Sequence, residues 1–214
     1  MAVTTITAGA PRLRADAERN VARIVDAAQV VFSTSGRAAS MDDVAAAAGV
    51  GIATVYRRFP TKQDLLRTVL ARRWDDVIDP ALRRAEREAE PREALRLALE
   101  GAVLFMTSDH VMMSAASDLG LMTMDLARRF CDPVAEILRR GQRDGTFRAD
   151  LVQDDIPRLV LMLFGMLPSF APGSDGWRRY LDLMLDSLAA ETTDLAPPTP
   201  VHDHQPVPAT WSVR

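Results

Sequence analysis

The sequence predicts an all-α protein with an N-terminal three-helix helix-turn-helix domain and a C-terminal helical bundle. Apolar residues recur three and four apart along most of the 214-residue chain, as on one face of a helix. No stretch alternates apolar and polar residues as a strand would. Capping residues, glycines and prolines divide the N-terminal third into short helices. With 48% of its residues hydrophobic, the chain can bury a core.

The first predicted helix starts at Asp16 and ends at Gly36. Ser40-Met41-Asp42-Asp43 forms a capping box that opens a short second helix, which ends at Ala48-Gly49. A third helix covers residues 52–59 and is broken by Pro60. Two short helices around a tight glycine turn have the helix-turn-helix layout, whose second helix lies in the major groove of DNA.

Thr61-Lys62-Gln63-Asp64 forms a second capping box, which opens a longer helix. The helices predicted beyond Asp79 cover residues 91–107, 111–117, 121 to 141 or 144 with a kink at Pro133, 154 or 155 to 167, and 177–190. Residues 168–176 are predicted to form a loop. The domains expected are a flexible leader over 1–15, a DNA-binding domain over 16–62, a ligand-sensing and dimerisation domain over 63–190, and a disordered proline-rich tail over 191–214.

The net charge of −3 is unevenly distributed. Residues 1–74 hold eleven basic and six acidic residues, a net charge of +5, whereas the remainder holds fifteen and twenty-three, a net charge of −8. A basic N-terminal third indicates a polyanionic partner for that part of the chain. The single cysteine, Cys131, fits a reducing compartment. Without the apolar stretch of a signal peptide or a bilayer-spanning run, the chain is expected in the cytoplasm, associated with the nucleoid.

The third helix has one apolar face and one polar face. Ile52, Val55 and Phe59 are predicted to point inward, while small, hydroxyl and guanidinium side chains point outward, where they can approach base edges and phosphates. Ser40 and Lys62 each lie at the start of a helix whose N-terminus can face the DNA backbone. The predicted DNA-binding residues are Ser40, Ala53, Thr54, Tyr56, Arg57, Arg58 and Lys62.

Residues 40–66, SMDDVAAAAGVGIATVYRRFPTKQDLL, resemble the signature of the TetR (tetracycline-repressor) family, and the close resemblance covers residues 17–72. The resemblance implies DNA contacts by Thr54, Tyr56, Arg57 and Lys62, with Ser40 on a phosphate. It also implies a homodimer on a palindromic operator, repression more often than activation, and release by a small effector. Arg57-Arg58 stands where histidines are common, and Gly51-Ile52 replaces a frequent Ser-Lys.

Methionine and phenylalanine are dense in the central helices of the C-terminal domain. Methionine fills irregular spaces and tolerates varied ligands, so a medium-sized apolar effector fits, although such side chains also make ordinary cores. The acidic domain favours a neutral or cationic effector over a multivalent anion. The predicted ligand-binding residues are Phe105, Met106, His110, Met113, Met122, Phe130, Met162 and Met166. Helices at about 154–167 and 177–189 are predicted to form the dimer interface.

The sequence disfavours an enzyme, because it has no phosphate-binding glycine loop, no metal-ligand spacing and no nucleophile elbow. No cofactor, metal or membrane partner is predicted; the expected partners are double-stranded DNA, a small effector and a second copy of the chain. Two alternatives stay open: an activator of the same fold, and a helical protein-interaction module without DNA binding. The sequence does not identify the operator, the regulated genes or the effector.

Overall fold

The computed structural model describes residues 10–171 and 173–190, and over these residues the chain forms helices and no β-strand. The helices are α1 (Ala10–Ser35), α2 (Met41–Ala48), α3 (Ile52–Arg58), α4 (Lys62–Arg73), α5 (Asp79–Arg87), α6 (Pro91–Thr107), α7 (His110–Asp118), α8 (Met124–Arg143), α9 (Asp155–Met166) and α10 (Trp177–Ser187). An isolated bridge pairs Phe147 with Ala189. The all-α prediction is confirmed.

The helix ends lie within about three residues of their predicted positions except at the start of α1. Helix α1 begins at Ala10, ahead of the predicted start at Asp16, and Pro11 lies in its first turn, where proline is tolerated. Helix α8 begins at Met124 because Thr123 caps it, its hydroxyl accepting from the Leu126 N–H at 3.3 Å. The predicted tail, residues 191–214, lies outside the described residues.

The N-terminal helices pack around the apolar stripe of α1. Ile24 and Phe32 of α1 are buried with Val44 of α2, Val55 of α3 and Leu65 of α4, each at most 1% exposed. Fully burying a side chain of this size stabilises the fold by about 1.5–3 kcal/mol, so this cluster holds α2, α3 and α4 against α1.

A continuous helical run from Lys62 to Arg87 joins this cluster to the C-terminal helices. It consists of α4, a single π-helical turn at Trp74–Ile78, and α5. Helix α5 lies so close to α6 that a side chain at Gly101 would collide with Ala81. The two parts of the chain are therefore connected by one continuous helical run that packs closely against α6.

Helix α6 lies at the centre of the C-terminal helices and contacts α5, α8, α9 and α10. Helices α9 and α10 each present apolar side chains to solvent on their outer sides. Leu161 and Met162 of α9 are 41% and 66% exposed, and Tyr180 and Leu183 of α10 are 48% and 51% exposed. These four residues are called the outer apolar face; Tyr180 also meets the ring of Phe170, with ring centres 5.7 Å apart, and all four remain largely open to solvent.

Candidate nucleic-acid interface

The turn between α2 and α3 is held by a glycine and an arginine. Gly49 ends α2 in the left-handed conformation, at φ 62°, which a residue with a side chain adopts only with strain. From α1, Arg23 donates from one guanidinium nitrogen to the carbonyl oxygens of Ala48 at 2.5 Å and Gly49 at 3.4 Å. These bonds satisfy carbonyls at the end of α2 and fix the point from which α3 departs.

Helix α3 is divided into the two faces that the sequence predicts. Val55 is fully buried, and Phe59, just after the helix, is 7% exposed. On the outer side Ala53, Tyr56, Arg57 and Arg58 are exposed, and Thr54 is half-buried. All five were predicted to contact DNA, and Arg58 also lies beside Val21 of α1 and Arg72 of α4.

Ser40 caps α2 through a complete capping box. Its hydroxyl accepts from the Asp43 N–H at 3.1 Å, and the Asp43 carboxylate accepts from the Ser40 N–H at 3.0 Å. Hydrogen bonds from Ser40 hold the pKa of Asp43 below its ordinary value. Ser40 and the first turn of α2 therefore form a well-defined helix N-terminus.

Lys62 opens α4 and is partly engaged within the protein. Its ammonium donates to the carbonyl oxygen of Arg37 at 2.6 Å and lies 5.7 Å from the centre of the Phe32 ring. Burial, together with the nearby Arg37, lowers the pKa of Lys62. An ammonium group has three donors, so two remain for an anion beside this turn.

Helix α7 docks on the DNA-binding helices, a contact that the sequence did not indicate. Asp109, the N-cap of α7, accepts from the Met112 N–H at 3.1 Å and from the Ser33 hydroxyl of α1. Val111 lies against Gly36, where a Cβ would come within 2.9 Å of Val111 Cγ1. Arg73 of α4 also donates to the hydroxyl of Ser108. The segment before and at the start of α7 thus holds the ends of α1 and α4.

Comparisons with known proteins agree with this architecture. A sequence model for bacterial regulatory proteins of the tetR family matches residues 24–69. The HTH-type transcriptional repressor LfrR of Mycolicibacterium smegmatis is 44% identical over 77 residues, which are 36% of this chain and 40% of LfrR. The similarity therefore extends over less than half of that repressor.

Two solved structures are similar over most of their length. The TetR regulatory protein of Mycobacterium vanbaalenii is 31% identical, with a TM-score of 0.56 over 83% of this chain and 99% of that one. The regulator PfmR of Thermus thermophilus is 26% identical, with a TM-score of 0.61 over 77% and 97% of the two chains. The chain belongs to the TetR family. It is a transcriptional regulator with a helix-turn-helix DNA-binding domain.

In this TetR-family chain, the residues predicted to line an effector site are distributed between the core and the surface. Phe105, Met113 and Phe130 are buried, whereas Met106, Met122 and Met166 are half-buried; His110 and Met162 are exposed. Met162 lies on the outer apolar face, so α9 directs it away from the buried members of the set. Six of the eight residues lie in the core or pack against it, and His110 and Met162 are exposed.

A small apolar cavity of about 10 Å³ lies elsewhere, between α6, α8 and α9. Its lining residues are Leu95, Leu99, Val134, Leu138, Ile156, Leu159 and Leu188. The volume is about that of a single water, too small for an organic effector without movement of the helices.

No helix among the described residues is long and apolar enough to cross a bilayer.

Proposed function

We propose that this regulator is a homodimeric repressor that binds a palindromic operator through α3 and is released by a small effector bound in its C-terminal domain. The observation that carries the proposal is the division of α3. Val55 anchors the helix in the core, while Tyr56, Arg57 and Arg58, which follow it in the helix, are exposed. Guanidinium groups on a helix that enters the major groove bind phosphates and guanine edges.

The neighbouring groups support a DNA backbone contact on both sides of α3. The N-terminus of α2 at Ser40 and that of α4 at Lys62 each supply backbone N–H donors and the positive end of a helix dipole. Lys62 adds a formal charge, and its bond to the Arg37 carbonyl holds it in place. These contacts orient the protein, while Thr54, Arg57 and Arg58 are the side chains proposed to reach base edges.

The outer apolar face supports a dimer formed with a second copy of the chain. Leu161 and Met162 on α9 and Tyr180 and Leu183 on α10 would be covered by the same residues of the partner in a two-fold arrangement. Two recognition helices in such a dimer would contact half-sites about 34–36 Å apart, or one duplex turn. A palindromic operator follows from that symmetry.

The docking of α7 supports a switch between the effector site and α3. Because Asp109, which caps α7, contacts Ser33 of α1 and Val111 of α7 contacts Gly36 directly after α1, a movement of α7 changes the position of α1 and the helices packed on it. An effector that binds one arrangement of α7 better than the other shifts the population of DNA-binding dimers.

Fluorescence anisotropy with DNA from beside the gene, at several salt concentrations, tests the proposal. We expect saturable, sequence-selective binding that weakens with salt. Arg57→Ala removes one guanidinium per half-site and should weaken specific binding by about 1–3 kcal/mol per half-site. Arg143→Ala, which removes an exposed arginine far along the chain that pairs with Glu136 at 3.5 Å, is the matched control and should bind like the wild type.

Failure to select any sequence from a random DNA library would refute the DNA-binding proposal and favour a protein-interaction module. Transcription from a reporter that carries the bound DNA separates repression from activation. A drop in reporter output on expression of the regulator supports a repressor, and a rise supports an activator.

A further inference from the structure

A guanidinium group occupies an aromatic and acidic cage at the junction of α4, α5 and α8. The guanidinium carbon of Arg129 lies 4.8 Å from the centre of the Trp74 ring. One of its nitrogens is 3.2 Å from a carboxylate oxygen of Asp75 and 3.1–3.2 Å from both oxygens of Asp79. A ring face with anionic groups beside it is the arrangement that recognises organic cations.

The π-helical turn builds the cage. The Asp79 N–H donates to the Trp74 carbonyl, and the Trp74 indole N–H donates to the Asp79 carboxylate at 2.7 Å. Phe105 of α6 meets the indole edge-on, with ring centres 5.9 Å apart. Because both ends of the turn and the ring are held, the face of Trp74 and the Asp79 carboxylate keep their positions without Arg129. Single π turns are rare and occur frequently at functional sites.

Arg129 lies on the solvent side of this cage. Its side chain is 46% exposed and that of Asp75 is 63% exposed, so both reach solvent on one side. Exposed ion pairs contribute little to stability, and a long arginine side chain can turn outward at small cost. Trp74, by contrast, is 3% exposed and cannot leave its position without opening the core.

We propose that the Trp74–Asp75–Asp79 cage binds a planar organic cation of the amidinium or guanidinium type, which takes the place of Arg129. The inference rests on the proposed effector-released function and names the chemical class of the effector. The delocalised charge stacks on the indole, and its N–H groups donate to the two carboxylates. The cage lies on the same helical run as Lys62, which connects it directly to the DNA-binding helices.

Isothermal titration calorimetry of the full chain with benzamidine, and with benzamide as its uncharged counterpart of nearly the same shape, tests the proposal. Arg129→Ala removes the internal competitor. It should bind benzamidine between about fivefold and thirtyfold more tightly than the wild type, the factor that a partly desolvated cation–π contact with its ion pairs supplies. Benzamide should show no such gain. Arg128→Ala, which removes the neighbouring charge, is the matched control and should behave like the wild type.

Adding Asp75→Asn to Arg129→Ala should remove most of the increase in benzamidine affinity, because the entering cation loses one carboxylate partner. Should Arg129→Ala lose its cooperative thermal transition, Arg129→Gln replaces it with the same expected order of affinities. Equal benzamidine affinity in wild type and Arg129 variants, or an equal gain for benzamide, overturns the proposal. Operator binding by the ligand-free wild type is measured separately, so failure of the cation site and failure of the DNA-binding function give different results.

Discussion

If the outer apolar face forms the dimer interface, the substitution Met162→Asp should weaken dimerisation strongly. Met162 is 66% exposed, the largest exposed fraction among the four residues of the face. Full burial of a methionine side chain stabilises by about 1.5–3 kcal/mol, so covering two thirds of it contributes about 1–2 kcal/mol. A two-fold interface counts this twice, which gives about 2–4 kcal/mol and a rise in the dimer dissociation constant of roughly thirtyfold to several hundredfold.

Sedimentation velocity over a range of protein concentrations measures this change directly. Val30→Asp is the matched control, since Val30 is 65% exposed but lies on α1, away from α9 and α10. The control should leave the association unchanged, while Met162→Asp should shift the chain toward monomer. A Met162→Asp protein that dimerises as tightly as the wild type would show that α9 does not form the interface. An equal shift in Val30→Asp would show that any new surface charge has the same effect.

Other predictions concern the local interactions described above. Ser40→Ala should cost about 1 kcal/mol in urea unfolding, since it removes an N-cap acceptor. The pKa of Asp43 is held below its ordinary 3.8, so its stabilising effect is present above pH 3.8 and is lost as the pH falls through the lower folded value. The melting temperature of the Asp43→Asn variant should therefore fall less than that of the wild type on acidification below about pH 4. Burial raises the pKa of the Cys131 thiol to about 11, so Ellman's reagent at pH 8 should label it only after unfolding; rapid labelling of the native protein would contradict this. Gly101→Leu should destabilise the fold by about 1–3 kcal/mol in urea unfolding, because the added side chain meets Ala81; unchanged stability would mean that α5 and α6 can separate.

Local signals in the sequence were sufficient for most of the fold. Ser40 and Thr61 lie directly before α2 and α4, and Pro91 and Pro168 mark helix boundaries, because caps and prolines act within a few residues. The start of α1 was predicted too late because the residues from Ala10 onward carry no capping signal. Periodicity shows that a helix exists more reliably than it shows where the helix begins.

The outward face of α3 could also be predicted from local sequence. Once Val55 faces the core, a seven-residue helix has few possible orientations. Contacts between distant residues could not. Arg23 meets the Ala48 carbonyl across 25 positions, and Asp109 meets Ser33 across 76, and neither pair has a sequence pattern. Met162 was assigned to the effector site because methionine and phenylalanine are dense in the central helices. Since α9 is apolar on most sides, the sequence does not reveal which of its sides faces the interior.

The contact of Val111 with Gly36 has a consequence for building hybrid regulators. Residues 24–69 carry the whole match to the family's DNA-binding model, yet Gly36 within them is fitted to a valine 75 positions later. A hybrid that joins this DNA-binding domain to another sensor must therefore carry a compatible side chain at the position of Val111, and an acceptor for Ser33. Exchanging operator preference between relatives then depends on matching the surface of α7 to that of the DNA-binding helices. A hybrid joined between Arg73 and Trp74 does not by itself keep these contacts.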